Sequence, residues 1–496
     1  MALASTSFKA AVSWPPDASL TNSLVIKALE SLDEKIEILP STPEDIPYNQ
    51  KLLQWSTYDA IDHELTYTKP SQVLSCTYVI RKALIRKHYL ARCIQNYVTK
   101  HPESVLTTSV PETWDFEIRF ADELDELWGD ELWDLGQELD KENTSKWYIL
   151  KPGMTDRGMG IRLFNTKDDL ASIFEEFEED SDEDDDEGNE AEAEVSVNDT
   201  SVVTSHVRHF VIQEYLQNPV LFDPAEVPLD GSQKPSTNDL RGHKFHLRAY
   251  CVASGALSVY FYTRILALFS SSPFSPPSSE TDKSVESLAQ HLTNTALQLE
   301  RGEASVRLFD ELINCHPLGS PHANMKKPAK RPMRGRAMGI VMDPDQPGTL
   351  SRETRSEEHV DNVFSEMDVV DIQNQIAEIL GETFKAALDM SVHFQPLPNA
   401  FELYGIDFMV TYSPSPNSNR KYQVHILEVN SEPAIENTGP RLTWILEDLF
   451  KEMGRHFVSP YINAKQESTW AVGETRDHLR KCLSAEVRGV GGWEKS

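Results

Sequence analysis

Positive charge is what this sequence has least of. Its 496 residues hold 47 Lys and Arg against 79 Asp and Glu, a formal net charge of −32. General nucleic-acid binding needs basic surface to release condensed counterions, and anionic membranes attract basic segments; neither is expected as a partner. Cysteine is sparse as well. Cys76, Cys93, Cys251, Cys315 and Cys482 are scattered with no C-x-x-C pair, which points to reduced thiols in the cytosol or nucleus and away from zinc. No apolar run is long enough to span a bilayer. The first residues, MALASTSFKAAVSWPPD, lack the apolar stretch of a signal peptide. There is no internal repeat. A cytoplasmic globular chain is the expectation, and 39% hydrophobic residues suffice for a large core.

Part of the acidity is local. Residues 175–194, EEFEEDSDEDDDEGNEAEAE, contain 14 acids and no Lys or Arg, too little apolar surface to offset ordering entropy, so 175–200 reads as a disordered insertion. Residues 1–74 read as a small leading domain with strand-like SLVIKAL and KIEILP. Residues 76–98 read as a helix with Ile80, Leu84, Ala91 and Ile94 as a partial apolar stripe. Arg81, Lys82, Arg86, Lys87 and Arg92 make that helix basic, either a solvated face or a contact for an acidic partner. Loop insertions fall at 269–283 and 318–360, the latter including basic residues 326–336, which leave nuclear access open. Amphipathic helices are expected at 372–388 and from Leu442 to Met453. FELYGIDFMVTY and KYQVHILEVN read as paired strands, and residues 481–496 as a tail. Alternating strands and helices give a mixed α/β (α+β) class.

The chemistry gathers on strands. In KWYILKPGMTDRGMGIRLF an apolar strand ends in Lys151 and a loop with Gly158 and Gly160. A lysine point charge beside a glycine loop whose N–H groups turn inward can hold phosphate; a tight turn with a surface lysine reads equally well. In HKFHLRAY, Lys244, His246, Arg248 and Tyr250 share one face, opposite Phe245, Leu247 and Ala249. A basic row of that kind is uncommon without an anion between its members; a solvated sheet face is the other reading. Glu428 and Asn430 share a face of HILEVN, and Asp407 sits in an apolar strand. Together they form an oxygen-donor set suited to Mg²⁺, unless arginines pair with the carboxylates. In VIQEYL, Gln213 and Tyr215 share a face and Glu214 takes the other.

WYILKPGMTDRGMGIRLF, FVIQEYL, GHKFHLRAY, HLTNT, YGIDFMV and ILEVNSEP occur in the order found in the tubulin-tyrosine ligase family, and residues 76–456 resemble its catalytic region. The resemblance implies an ATP-grasp fold with a nucleotide cleft between a central subdomain, 75–218, and a C-terminal one, 219–480. It implies that Lys151 and Lys244 contact ATP phosphates and that Gln213, Glu214, Tyr215 and Leu216 form the adenine hinge. Arg248 and Arg264 would hold carboxylate substrate or developing phosphate charge, Thr293 and Asn294 would lie near substrate, and Asp407, Glu428 and Asn430 would bind Mg²⁺. His246 departs from the Asp of many members, where it would serve as hydrogen-bond donor or base. The activity implied is ATP-dependent ligation of a free amino acid, tyrosine first, to a protein carboxylate such as the acidic tubulin tail. The alternatives are a scaffold that has lost catalysis and a ligase with another acceptor.

Overall fold

The computed structural model describes residues 7–141, 145–154, 158–184, 208–278, 288–293, 305–319, 363–414, 420–463 and 470–485. It is a mixed α/β protein built on three sheets. The first is parallel, from β1 (Ser7–Ala11), β2 (Ile36–Leu39), β3 (Gln50–Gln54) and β4 (Val73–Ser75), in the order β2-β1-β3-β4. Helix α1 (Ser19–Glu30) connects β1 to β2. Its buried Thr21, Leu24, Val25, Ala28 and Leu29 recur at helical spacing. SLVIKAL, expected as a strand, therefore lies inside a helix; a short apolar run cannot by itself separate the two periods. Helix α2 (Lys87–Lys100) replaces most of the helix expected over 76–98, whose first residues instead lead from β4 into a short helical turn at Lys82–Ile85.

The second sheet is antiparallel, from β5 (Thr113–Glu117), β6 (Tyr148–Pro152), β7 (Arg162–Phe164) and β8 (His209–Glu214), in the order β5-β8-β6-β7. Helix α3 (Lys167–Asp184) covers it and runs ten residues into the acidic stretch expected to be disordered. Phe174 and Phe177 explain the extension, for both are fully buried against Phe210 of β8. The remainder of that stretch and basic residues 326–336 lie outside the described residues.

The third sheet centres on β9 (His243–Ser254). One edge of β9 pairs with β10 (Ser258–Tyr262) and β11 (Leu266–Pro273), and β11 carries β12 (Val306–Leu308). The other edge pairs with β13 (Phe401–Tyr412), which forms the expected antiparallel hairpin with β14 (Tyr422–Ser431). Short β15 (Thr475–Arg476) and β16 (Leu479–Ser484) close the far side. The tail placed from 481 thus starts inside a sheet strand, and the loop placed from 269 starts inside β11.

Phe245, Leu247, Ala249 and Cys251 of β9 enter one core with helix α4 (Glu366–Asp389), whose start is a capping box of Ser365 and Asp368. Burying a side chain such as Phe245 or Leu247 stabilises by about 1.5–3 kcal/mol. The opposite face, through Tyr250 and Val252, packs with α1 and helix α5 (Thr443–Met453). Strand β9 is therefore sandwiched at one end, while its His243–Arg248 end faces the second sheet. Among the described residues, no helix is long and apolar enough to cross a membrane.

The leading sheet is locked to the large one by a buried ion pair. Arg81, before α2, pairs with Glu402 of β13, which also accepts hydrogen bonds from the Tyr78 amide at 3.0 Å and the Tyr404 hydroxyl at 2.7 Å. The two side chains are 8% and 3% exposed. Arg81→Leu leaves Glu402 as an uncompensated buried charge. It should lower unfolding free energy by about 3–5 kcal/mol in denaturant titration, and adding Glu402→Leu should recover most of the loss.

Candidate active site

The cleft lies where β6 and β8 of the second sheet face β9, β13 and β14 of the third. Its lining includes Lys151, Gln213, Glu214, Tyr215, Leu216, Lys244, His246, Thr293, Asp407 and Glu428. Ile149, Ile161, Leu292 and Met409 supply apolar walls. Residues more than 250 positions apart in sequence are brought together, because β6 and β14 belong to different sheets. The volume within it is about 80 Å³, small beside a drug-sized ligand site.

Lys151 is the fourth residue of β6 and its Nζ donates to Gln213 Oε1 at 2.8 Å. Register pairs Ile149 with Gln213, so Lys151, two residues on, shares that face. Burial lowers its pKa to about 8, against the opposing pull of Glu428. Gly158 and Gly160 follow with φ of 82° and 69°, left-handed conformations that glycine adopts without steric penalty. Lys244, on β9, donates to the Tyr215 hydroxyl at 3.0 Å. Burial, then the neighbouring Lys151, pushes its pKa down to about 7. Two buried ammonium groups thus raise one another's cost of ionisation, which a polyanion between them would relieve.

Opposite them stand the oxygen donors. Register sets Asp407 of β13 against Glu428 of β14. A bulge follows, because Phe408 pairs with Ile426 and leaves Leu427 unpaired. Such an extra residue re-aims the side chains beside it. Asn430 Nδ2 lies 3.3 Å from Glu428 Oε1. Burial opposes ionisation of Glu428, but Lys87 and Lys151, with the hydrogen bond donated by the Asn430 amide, hold its carboxyl well below the usual range. Two carboxylates and an amide make a hard-oxygen set that fits a divalent cation such as Mg²⁺. Protein cations currently balance that charge. Arg248 grips Asp407 through Nε at 2.5 Å and Nη2 at 2.9 Å, and Lys87 Nζ lies 3.6 Å from Glu428. The pairing of these acids with arginine, left open by the sequence, is thus real for Asp407.

His246 is 3% exposed. Its Nδ1 shares a hydrogen bond with Thr293 Oγ1 at 2.6 Å, while Nε2, which has no hydrogen-bond partner among the described residues, sits 3.6 Å from Asp407 Oδ1. Burial lowers its pKa, against the opposing pull of Asp407. Arg264 stands apart. It pairs with Asp448 of α5, stacks 4.7 Å over Trp444, and is absent from the cleft lining. Asn294 lies outside the described residues. Lys87, at the start of α2, was missed as a site residue. Its only sequence signal was membership of a basic helix, and the contact with Glu428 depends on how that helix docks. A larger cavity of about 330 Å³, between the first and third sheets, contains Trp14, Trp55, Arg81 and Glu402 but none of the expected site residues.

Comparison with known proteins fits this arrangement. The model of the tubulin-tyrosine ligase family matches residues 72–313 and 345–467. A probable tubulin–tyrosine ligase of Saccharomyces cerevisiae, PBY1, is 31% identical over 487 residues, covering 91% of this chain and 54% of the relative; the chain spans about half of that protein's length. A probable tubulin–tyrosine ligase of Schizosaccharomyces pombe is 32% identical over 448 residues, covering 89% of each chain. Among solved structures, the C-terminal domain of K. lactis Pby1, described as an ATP-grasp enzyme interacting with the mRNA decapping enzyme Dcp2, superposes with a TM-score of 0.60 at 27% identity over 97% of this chain and 100% of that one. With three sheets, a cleft between two of them and a family match across most of its length, the chain belongs to the tubulin-tyrosine ligase family and carries the ATP-grasp fold.

Proposed function

We propose that this protein is an ATP- and Mg²⁺-dependent carboxylate–amine ligase that joins a free amino acid to a protein carboxylate. The observation that carries the reading is the convergence of Lys151 and Lys244 with Asp407 and Glu428 in one cleft beside the Gln213–Leu216 segment. A carboxylate is a poor electrophile, because its departing oxide is too basic. Transfer of the γ-phosphoryl group from ATP to a carboxylate oxygen releases ADP and gives an acyl phosphate. Attack by the amine then forms the C–N bond, expels inorganic phosphate and loses a proton. Lys151 and Lys244 orient the triphosphate and offset its charge, and water is excluded as the sheets close. A divalent cation held by Asp407, Glu428 and Asn430 would neutralise phosphate charge. Arg248 offers a planar fork for the substrate carboxylate, and the buried His246 is placed to hydrogen-bond substrate or accept the amine's proton.

Tyrosine is the first amino acid to test and the acidic tubulin tail the first acceptor. Incubation with tubulin, ATP and labelled Tyr, Glu or Gly, followed by mass spectrometry, should find one label in amide linkage. Glu428→Gln should reduce turnover at least 100-fold while the protein stays folded. Nucleotide binding without any ligation, to tubulin or to other acidic proteins, would instead favour a second reading, a binding protein that has kept the fold. Support for that reading comes from the K. lactis relative, described as interacting with Dcp2, and from His246 at the position where aspartate is common.

The lowered pKa of Lys244 gives a pH test. Phosphate binds the ammonium form and so raises the pKa from about 7. Nucleotide binding at pH 8 should therefore take up about 0.9 proton at Lys244 and up to about half a proton at Lys151, whose pKa is about 8, read by calorimetry in two buffers of different ionisation enthalpy. Affinity should fall as pH rises from 7 to 9 and uptake should shrink in Lys244→Met; affinity flat across that range would count against the assignment.

A further inference from the structure

Asp407 has two claimants. Strand register places Arg248 of β9 directly across from it. The two guanidinium contacts go to different carboxylate oxygens, Nε to Oδ1 and Nη2 to Oδ2. The pair is nearly closed to solvent, with side chains 16% and 6% exposed. The stem of Arg248 is seated as well. A Cβ on Gly405 would come within 3.2 Å of Arg248 Cδ and 2.6 Å of Pro433 Cβ, so a bare backbone makes room for this arginine. The fork takes one lone pair on each oxygen, so a divalent cation on Asp407 would sit beside the guanidinium, and two positive centres on one nearly buried carboxylate repel.

We propose that Arg248 is an exchange latch: its fork grips Asp407 when the site is empty and transfers to the substrate carboxylate when a divalent cation takes Asp407. This rests on the ligase reading and adds an order to it. A guanidinium fork matches one carboxylate as well as another, so the substrate competes with Asp407 for the same donors. Whichever ligand arrives first frees the partner the other needs. Cation and carboxylate therefore bind with positive, reciprocal coupling. His246 makes the exchange tolerable. Its Nε2, unpartnered among the described residues and 3.6 Å from Oδ1, is near enough to support Asp407 after the guanidinium leaves. An aspartate at 246 would offer the fork a competing carboxylate two residues along the same strand face. Arg248 is thus a positioning residue for the metal and a binding residue for the carboxylate.

The test titrates the full chain with Mn²⁺, reading free Mn²⁺ by electron paramagnetic resonance, with and without millimolar N-acetyl-glutamyl-glutamate as the carboxylate probe. The expected result is a Mn²⁺ Kd at least fivefold lower with the probe present, and an equal tightening of the probe by Mn²⁺. Arg248→Gln should bind Mn²⁺ more tightly than wild type without the probe and lose the coupling. Arg248→Lys, a point charge that cannot fork, should retain only part of it. A merely structural arginine predicts the opposite, weaker Mn²⁺ binding in Arg248→Gln. That result, or a Kd unchanged by the probe in wild type, overturns the proposal. Titration with the Mn²⁺ complex of a non-hydrolysable ATP analogue separates the two layers. Binding of that complex without coupling removes the latch and leaves the ligase reading, whereas no binding at all removes both.

Discussion

Everything in the cleft depends on charge that the protein buries without fully neutralising. Lys151 and Lys244 enter from different sheets, and each is held below its ordinary pKa by burial. Their hydrogen bonds go to neutral groups, an amide oxygen and a phenol. Such an arrangement is unfavourable in an isolated protein and becomes favourable once a polyanion lies between the ammonium groups. The carboxylate side is handled differently, since Asp407 and Glu428 already have cationic neighbours in Arg248 and Lys87. The acids are thus better paired than the lysines, so an anion would relieve the buried ammonium groups while a cation would have to compete with Arg248 and Lys87.

The fold is what makes that contrast possible. Strand β9 is buried on both faces toward its Ser254 end, between the α4 core and the core shared with α1 and α5. Only toward Lys244 does one face open on the second sheet. Arg248 sits at the boundary, close enough to the packed region for its stem to lie against Gly405. The lining of the cleft is thus split between a rigid wall, β9 with the β13–β14 hairpin, and a smaller sheet with its own core under α3. Separate cores are what allow two lobes to move relative to one another around a nucleotide.

Much of this was legible in the sequence. Alternation in HKFHLRAY separates Lys244, His246 and Arg248 from Phe245, Leu247 and Ala249, and the strand does divide that way, because a period of two leaves no freedom about which face a residue takes. The β13–β14 hairpin was legible for the same reason. Long-range pairing was not. Nothing in periodicity says that residue 248 lies across from residue 407, or that a helix beginning at Lys87 ends up 3.6 Å from Glu428. SLVIKAL was misread because its burial pattern spreads over nine residues, from Thr21 to Leu29, and a seven-residue window sees only an apolar run. Arg264 illustrates a different limit: a motif fixes which residue type is present, but local partners, here Asp448 and Trp444, decide whether its side chain faces the cleft.

The same accounting of partners bears on how so acidic a chain could receive an acidic substrate. Read as sequence, residues 81–92 form a basic face able to attract one. In the fold, three of those five charges already have acids: Arg81 has Glu402, Lys87 has Glu428 and Arg92 has Asp115. Attraction by an open basic surface is weakened accordingly, and at physiological salt it would fade within about 8 Å in any case. What remains is shorter in range and more selective. An acidic group that reaches the cleft meets the two lysines, with Arg248 on Asp407 beside them, in a region of low dielectric where each contact is stronger than on the surface. Under the proposed ligase reading, recognition of an acceptor would be governed by the reacting carboxylate and its immediate neighbours, and less by the net charge of either protein.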